Sequence, residues 1–130
     1  MIRLGYVIHY VADVPATVAF YERAFGLERG FIHDSGQYGE MATGATVLAF
    51  ADETLADLNG LSIRPGRPGQ GAAPVEIVFV ADDPGAAFAR AVAAGATALA
   101  EPVAKPWGQV VGYVADLNGF LVEICSAVAG

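Results

Sequence analysis

The chain is 130 residues long, 55% hydrophobic, and carries 14 acidic against 7 basic residues, a formal net charge of −7. That length suits one compact domain with an ample core and is too short for two ordinary ones. The charge argues against nucleic acid and anionic membrane as partners and mildly favours a cationic small molecule.

The single cysteine, Cys125, leaves no intrachain disulfide to form, so a reducing cytoplasm is the expected compartment. Apolar runs fall short of a membrane span, and residues 1–6 lack a signal-peptide layout.

In chain order, Y-V-I-H-Y-V at residues 6–11 is a β-branched and aromatic run that predicts a strand. Asp13 offers an N-cap and Pro15 fits the first helical turn. Val14, Val18, Tyr21 and Phe25 recur at helical spacing, and Gly26 supplies a left-handed stop. Three short strands follow at 31–34, 38–42 and 45–51, completing a βαβββ unit over 1–51. The pattern then fails between 52 and 74, where a short helical turn precedes R-P-G-R-P-G-Q-G, a linker or flap. The series restarts at 75 with a strand over 75–80, a cap at Asp83 and Pro84 as first helical residue. An alanine-rich helix over 86–94 stops at Gly95, and strands over 96–100, 109–115 and 120–125 close a second unit, 75–130.

The two halves are copies of one plan within a single domain, 1–130. V-A-D-V-P-A-T-V-A-F from Val11 lies over V-A-D-D-P-G-A-A-F-A from Val80, and Gly26 lies over Gly95 at the same offset. A one-residue slip in the first strand makes Tyr6 correspond to Glu76. Aligning Gly44 with Gly119 places Leu48 over Glu123.

The tandem βαβββ units, F-Y-E-R-A-F-G-L after the first strand and D-L-N-G-F-L-V-E-I at the end, resemble the vicinal oxygen chelate superfamily. That superfamily includes glyoxalase I, extradiol dioxygenases and bleomycin-resistance proteins. The resemblance implies an α+β fold of half-barrel sheets with helices on the outer face. It also implies four metal-ligand places, on the first and last strand of each unit, which here are Tyr6, Leu48, Glu76 and Glu123. Leucine cannot ligate a metal and a neutral tyrosine ligates poorly, so no metal and no cofactor are expected. His9 has the parity of Val7 and Val11, the helix-packing face, and His33 reads as surface or rim.

Residues sharing the other face become ligand-binding candidates: Tyr6, Tyr10 and Glu76 on first strands, Trp107, Gln109 and Tyr113 near the penultimate strand, and Glu123 on the last. Tyr38 and Phe50 extend the wall from the first unit. No Ser, Cys or Lys sits in a nucleophile motif, so no catalytic residue is assigned. The expectation is a bleomycin-resistance-like homodimer that sequesters an antibiotic or aromatic metabolite in a cleft between subunits, without turnover. The alternative is a metal-dependent glyoxalase-like lyase, isomerase or dioxygenase.

Overall fold

A computed structural model describes residues 1–128. They form an α+β protein with two compact units, Met1–Pro65 and the described residues from Gly66 onward. The first contains β1 (Tyr6–Val11), α1 (Val14–Phe25), β2 (Arg29–Ile32), β3 (Tyr38–Met41), β4 (Val47–Asp52) and α2 (Glu53–Leu58). The second contains β5 (Glu76–Val80), α3 (Pro84–Ala93), β6 (Thr97–Ala104), β7 (Val110–Ala115) and β8 (Leu121–Cys125). Each unit has one four-stranded sheet, in the order β1-β4-β3-β2 and β5-β8-β7-β6. In both, the first and last strands run parallel and the rest of the sheet is antiparallel.

Local chemistry explains the helices. The Asp13 carboxylate accepts the Ala16 N–H at 3.0 Å, and that of Asp83 accepts the Ala86 N–H at 3.1 Å. Each thus satisfies a donor the helix itself leaves open, with a proline in the first turn. Asp13 therefore corresponds to Asp83, whereas Gly26 corresponds to Gly95. The one-residue slip between the repeats lies in the helix, not in the first strand.

In the first unit, α1 buries Val14, Val18, Phe20, Tyr21 and Ala24. Tyr21 meets Phe50 of β4 with ring centroids 4.8 Å apart, and Phe25 at 5.1 Å. Gly39 lets α1 lie close to β3: a Cβ there would sit 3.0 Å from Val18 Cγ2 and 3.2 Å from Val14 Cγ1. In the second unit, Val114, Val122 and Ile124 are buried in the sheet on which α3 packs, through its buried Phe88 and Ala91.

Between the repeats, α2 is capped by Asp52, whose carboxylate accepts from Thr54 N at 2.9 Å and Thr54 Oγ1 at 2.8 Å. The glycine-rich stretch that follows packs on the β7–β8 turn. A Cβ at Gly66 would lie 2.8 Å from the Phe120 ring, and one at Gly119 would lie 2.5 Å from the Arg67 carbonyl oxygen. Strand ends differ from expectation by a few residues. β2 starts at Arg29 and β6 continues to Ala104, because cross-strand pairing extends both beyond their apolar runs.

Candidate functional site

Sheet parity decides which side chains are available. Phe50 and Gly39 both face α1, so their neighbours Ala49, Ala51, Tyr38 and Glu40 project to the opposite, helix-distal face. Register partners share a face, so Tyr10 and Tyr38 flank Ala51, and Ile8 and Glu40 flank Ala49. His9 faces the helix side, 6.2 Å from the Phe50 ring, as its parity predicts. His33 caps its own turn, its Nδ1 hydrogen-bonded to Ser35 Oγ at 2.8 Å.

Two expectations need correction. Phe50 is completely buried against α1 and lines no ligand surface of its sheet. Leu48 shares its parity, and the register partner equivalent to Glu123 is Ala49: Glu123 opposes Val78 as Ala49 opposes Ile8. The turn glycines misled the alignment, because the β3–β4 connection holds one more residue between Gly44 and the strand than the β7–β8 connection does after Gly119.

On the helix-distal face of the first unit, the Tyr38 hydroxyl donates to Glu40 Oε2 at 2.8 Å. The Phe31 ring lies 5.9 Å from that of Tyr38, inclined at 54°. Loss of water around the phenol, then the hydrogen bond and the charge of Glu40, hold the Tyr38 hydroxyl well above the usual phenol range. Tyr6 lies on the same helix-distal face by its register in β1. Glu40 was not among the sequence candidates. Period-two spacing from Tyr38 was the signal that could have found it.

The second unit carries a different group. Tyr113 is the register partner of Glu123, so the two side chains share a face. Loss of water, then the charge of Glu123, push the Tyr113 phenol up. Glu76 lies diagonally from Glu123 on the same face, and its carboxyl is raised above 4.5 by partial desolvation first, then by hydrogen bonding with Glu123 and by its like charge. Burial and Glu123 push up the Cys125 thiol, against a smaller lowering by a hydrogen bond from Gln109. Such a thiol is no activated nucleophile.

Trp107 and Gln109 lie in the β6–β7 turn rather than on β7. The Trp107 indole is 59% exposed, yet its Nε1–H donates to Gln109 Oε1 at 2.8 Å. Gln109 Nε2 in turn donates to the Ser126 carbonyl at 3.1 Å, and Ser126 Oγ accepts from Val110 N at 2.8 Å. The indole is thus tied to the end of β8. Two cavities lie away from these groups: about 430 Å³ beside Glu53, Asp57 and Ile63, and about 190 Å³ between Pro68, Leu99 and Gly119.

The metal places implied by the resemblance become Tyr6, Ala49, Glu76 and Glu123. A phenol and a methyl group in the first unit do not fit a divalent-metal donor set. Among the described residues, no three His, Cys, Asp or Glu side chains are grouped to hold a metal ion. No described helix is long and apolar enough to cross a membrane.

Solved structures share the fold throughout. A glyoxalase-related enzyme from Fulvimarina pelagi matches with TM-score 0.83 at 23% identity, over 98% of this chain and 89% of that one. A glyoxalase/bleomycin resistance protein/dioxygenase family enzyme from Burkholderia phytofirmans PsJN matches with TM-score 0.81 at 23% identity, over 98% and 100%. A glyoxalase/bleomycin resistance protein/dioxygenase from Nocardioides gives 0.78 at 19%, over 100% and 86%. No curated protein matches by sequence. The family model described as Glyoxalase/Bleomycin resistance protein/Dioxygenase superfamily matches residues 3–124, and to that superfamily this chain belongs.

Proposed function

We propose that the protein binds a planar, aromatic-containing small molecule and releases it unchanged. The observation that carries this reading is Trp107, largely exposed but held by its hydrogen bond to Gln109. A fixed indole presents a stacking surface whose ordering cost has already been met, as suits a recognition wall. Tyr6, Tyr10 and Tyr38 offer further aromatic surface in the first unit; in the second, Tyr113, Glu76 and Glu123 share a face and offer polar groups. In this reading the protein acts as a cytoplasmic homodimer, with the ligand between subunits, and sequestration of a toxic compound is its role. The Glu76–Glu123 pair favours a second reading, a metal-dependent lyase or dioxygenase, because paired carboxylates are hard-cation ligands.

The test is to screen planar aromatic compounds by tryptophan fluorescence and recover each ligand for mass spectrometry. Saturable quenching with the ligand intact supports the proposal. Turnover of a thiol-adducted aldehyde or a catechol would replace it with the second reading.

A further inference from the structure

The helix-distal face of the first sheet carries one carboxylate, Glu40, among aromatic side chains. The Tyr38 hydroxyl fixes it by donating to Oε2 at 2.8 Å. Glu40 is half-buried and makes no ion pair among the described residues; the ion pair of this unit joins Arg29 to Glu22. A half-buried carboxylate without a cationic partner loses hydration that a neighbouring positive charge would restore.

The surroundings specify the kind of cation. Phe31 is the register partner of Glu40, and its ring stands 5.9 Å from that of Tyr38 at 54°, so the two rings make a corner beside the carboxylate. Tyr6 shares this helix-distal face through the register of β1 with β4. Tyr6 is 53% and Phe31 44% exposed, so part of the aromatic surface is reachable. Ring faces attract soft, weakly hydrated cations, whereas a bare metal ion would need several oxygen donors that this face lacks. With the Tyr38 proton committed to Oε2, Oε1 and the ring faces remain to meet a ligand.

We propose that Glu40, Tyr38 and Phe31 form a binding site for an organic ammonium group carried on an apolar or aromatic body. The site deepens the small-molecule-binding reading and rests on it. Glu40 supplies the countercharge, Tyr38 orients it, and the rings cover the alkyl groups on nitrogen. The acids of the second unit play no part in this selection.

The test compares benzyltrimethylammonium with its uncharged carbon isostere, neopentylbenzene, by NMR titration of the whole protein. Wild type should prefer the cation by about tenfold, equivalent to about 1.4 kcal/mol. Glu40→Gln should abolish the preference while leaving neopentylbenzene binding and the melting temperature unchanged. Tyr38→Phe should reduce the preference without removing it. Glu101→Gln, an exposed acid on β6, should leave it intact and so controls for the overall negative charge. Equal affinity for the two probes would overturn the ammonium site and leave the binding reading standing. A preference that survives Glu40→Gln but disappears in Glu123→Gln would also overturn it, by placing the cation in the second unit. Binding of neither probe, with no response to any planar aromatic compound, would overturn both.

Discussion

Glu76 and Glu123 are diagonal neighbours on one face of two parallel strands: Glu76 lies opposite Leu121, and Glu123 opposite Val78. A second carboxylate on the same face makes ionisation of the first harder. Glu76 takes the upward shift, from partial desolvation, hydrogen bonding with Glu123 and the like charge.

Stability should therefore fall as pH rises through this titration. Between the ordinary value of 4.5 and the raised folded value, the native state holds a proton the unfolded chain has released. The stabilising contribution is complete below 4.5 and lost once pH passes the folded value. Glu76→Gln keeps a neutral side chain at every pH. Its melting temperature should exceed that of wild type at neutral pH and match it in acid. Melting profiles that stay parallel across the range would show that the pair is not coupled.

Phe50 and Tyr38 should separate stability from binding. Phe50 is enclosed by α1, with Tyr21 at 4.8 Å, so Phe50→Ala should cost about 3–5 kcal/mol in denaturant unfolding. Phe50→Leu should keep most of that stability and leave ligand affinity unchanged. A Phe50→Leu variant of normal stability that has lost ligand affinity would return Phe50 to the binding surface.

The two turn glycines should differ sharply. Gly44 and Gly119 have φ of 93° and 86°, a region that penalises a side chain. A Cβ at Gly44 would meet nothing within 4 Å, so Gly44→Ala should cost only the backbone term, about 1–2 kcal/mol. At Gly119 the same methyl would collide with the Arg67 carbonyl, and the loss should reach about 3 kcal/mol or more. Equal losses in urea unfolding would mean that the 66–71 segment does not hold its place on the turn.

The repeated plan was legible because each half carries the same local signals: an Asp cap, a proline in the first turn and a glycine stop. The family followed from those signals and from the final hairpin. The site was less legible, since a strand shift of one residue exchanges its two faces. Aligning Gly44 with Gly119 put Leu48 where register puts Ala49, and counted Phe50 as a ligand wall when it is core. Glu40 went unnoticed because a lone acid in Y-G-E-M looks like an ordinary surface residue. Only its pairing with Ala49 and Phe31, and its bond from Tyr38, bring it among the aromatics.

Trp107 is the sole tryptophan, so its fluorescence reports one indole. Its Nε1–H reaches Gln109, Gln109 reaches the Ser126 carbonyl, and Ser126 closes onto the backbone of Val110. Gln109 is suited to this relay because its amide accepts at one end and donates at the other. Gln109→Leu keeps the bulk and removes both bonds, so indole anisotropy should drop in the ligand-free protein. Ligand affinity should fall as well, because binding must then order the ring. Trp107→Ala, which removes the stacking surface itself, should weaken binding by roughly tenfold, if about 1.4 kcal/mol is lost. Gln109→Glu retains the acceptor for the indole and should recover part of the anisotropy, though not the bond to Ser126. If Gln109→Leu leaves anisotropy at the wild-type level, other contacts hold the indole and the relay has no positioning role. If anisotropy drops while affinity stays unchanged, Trp107 is fixed for a reason other than ligand recognition.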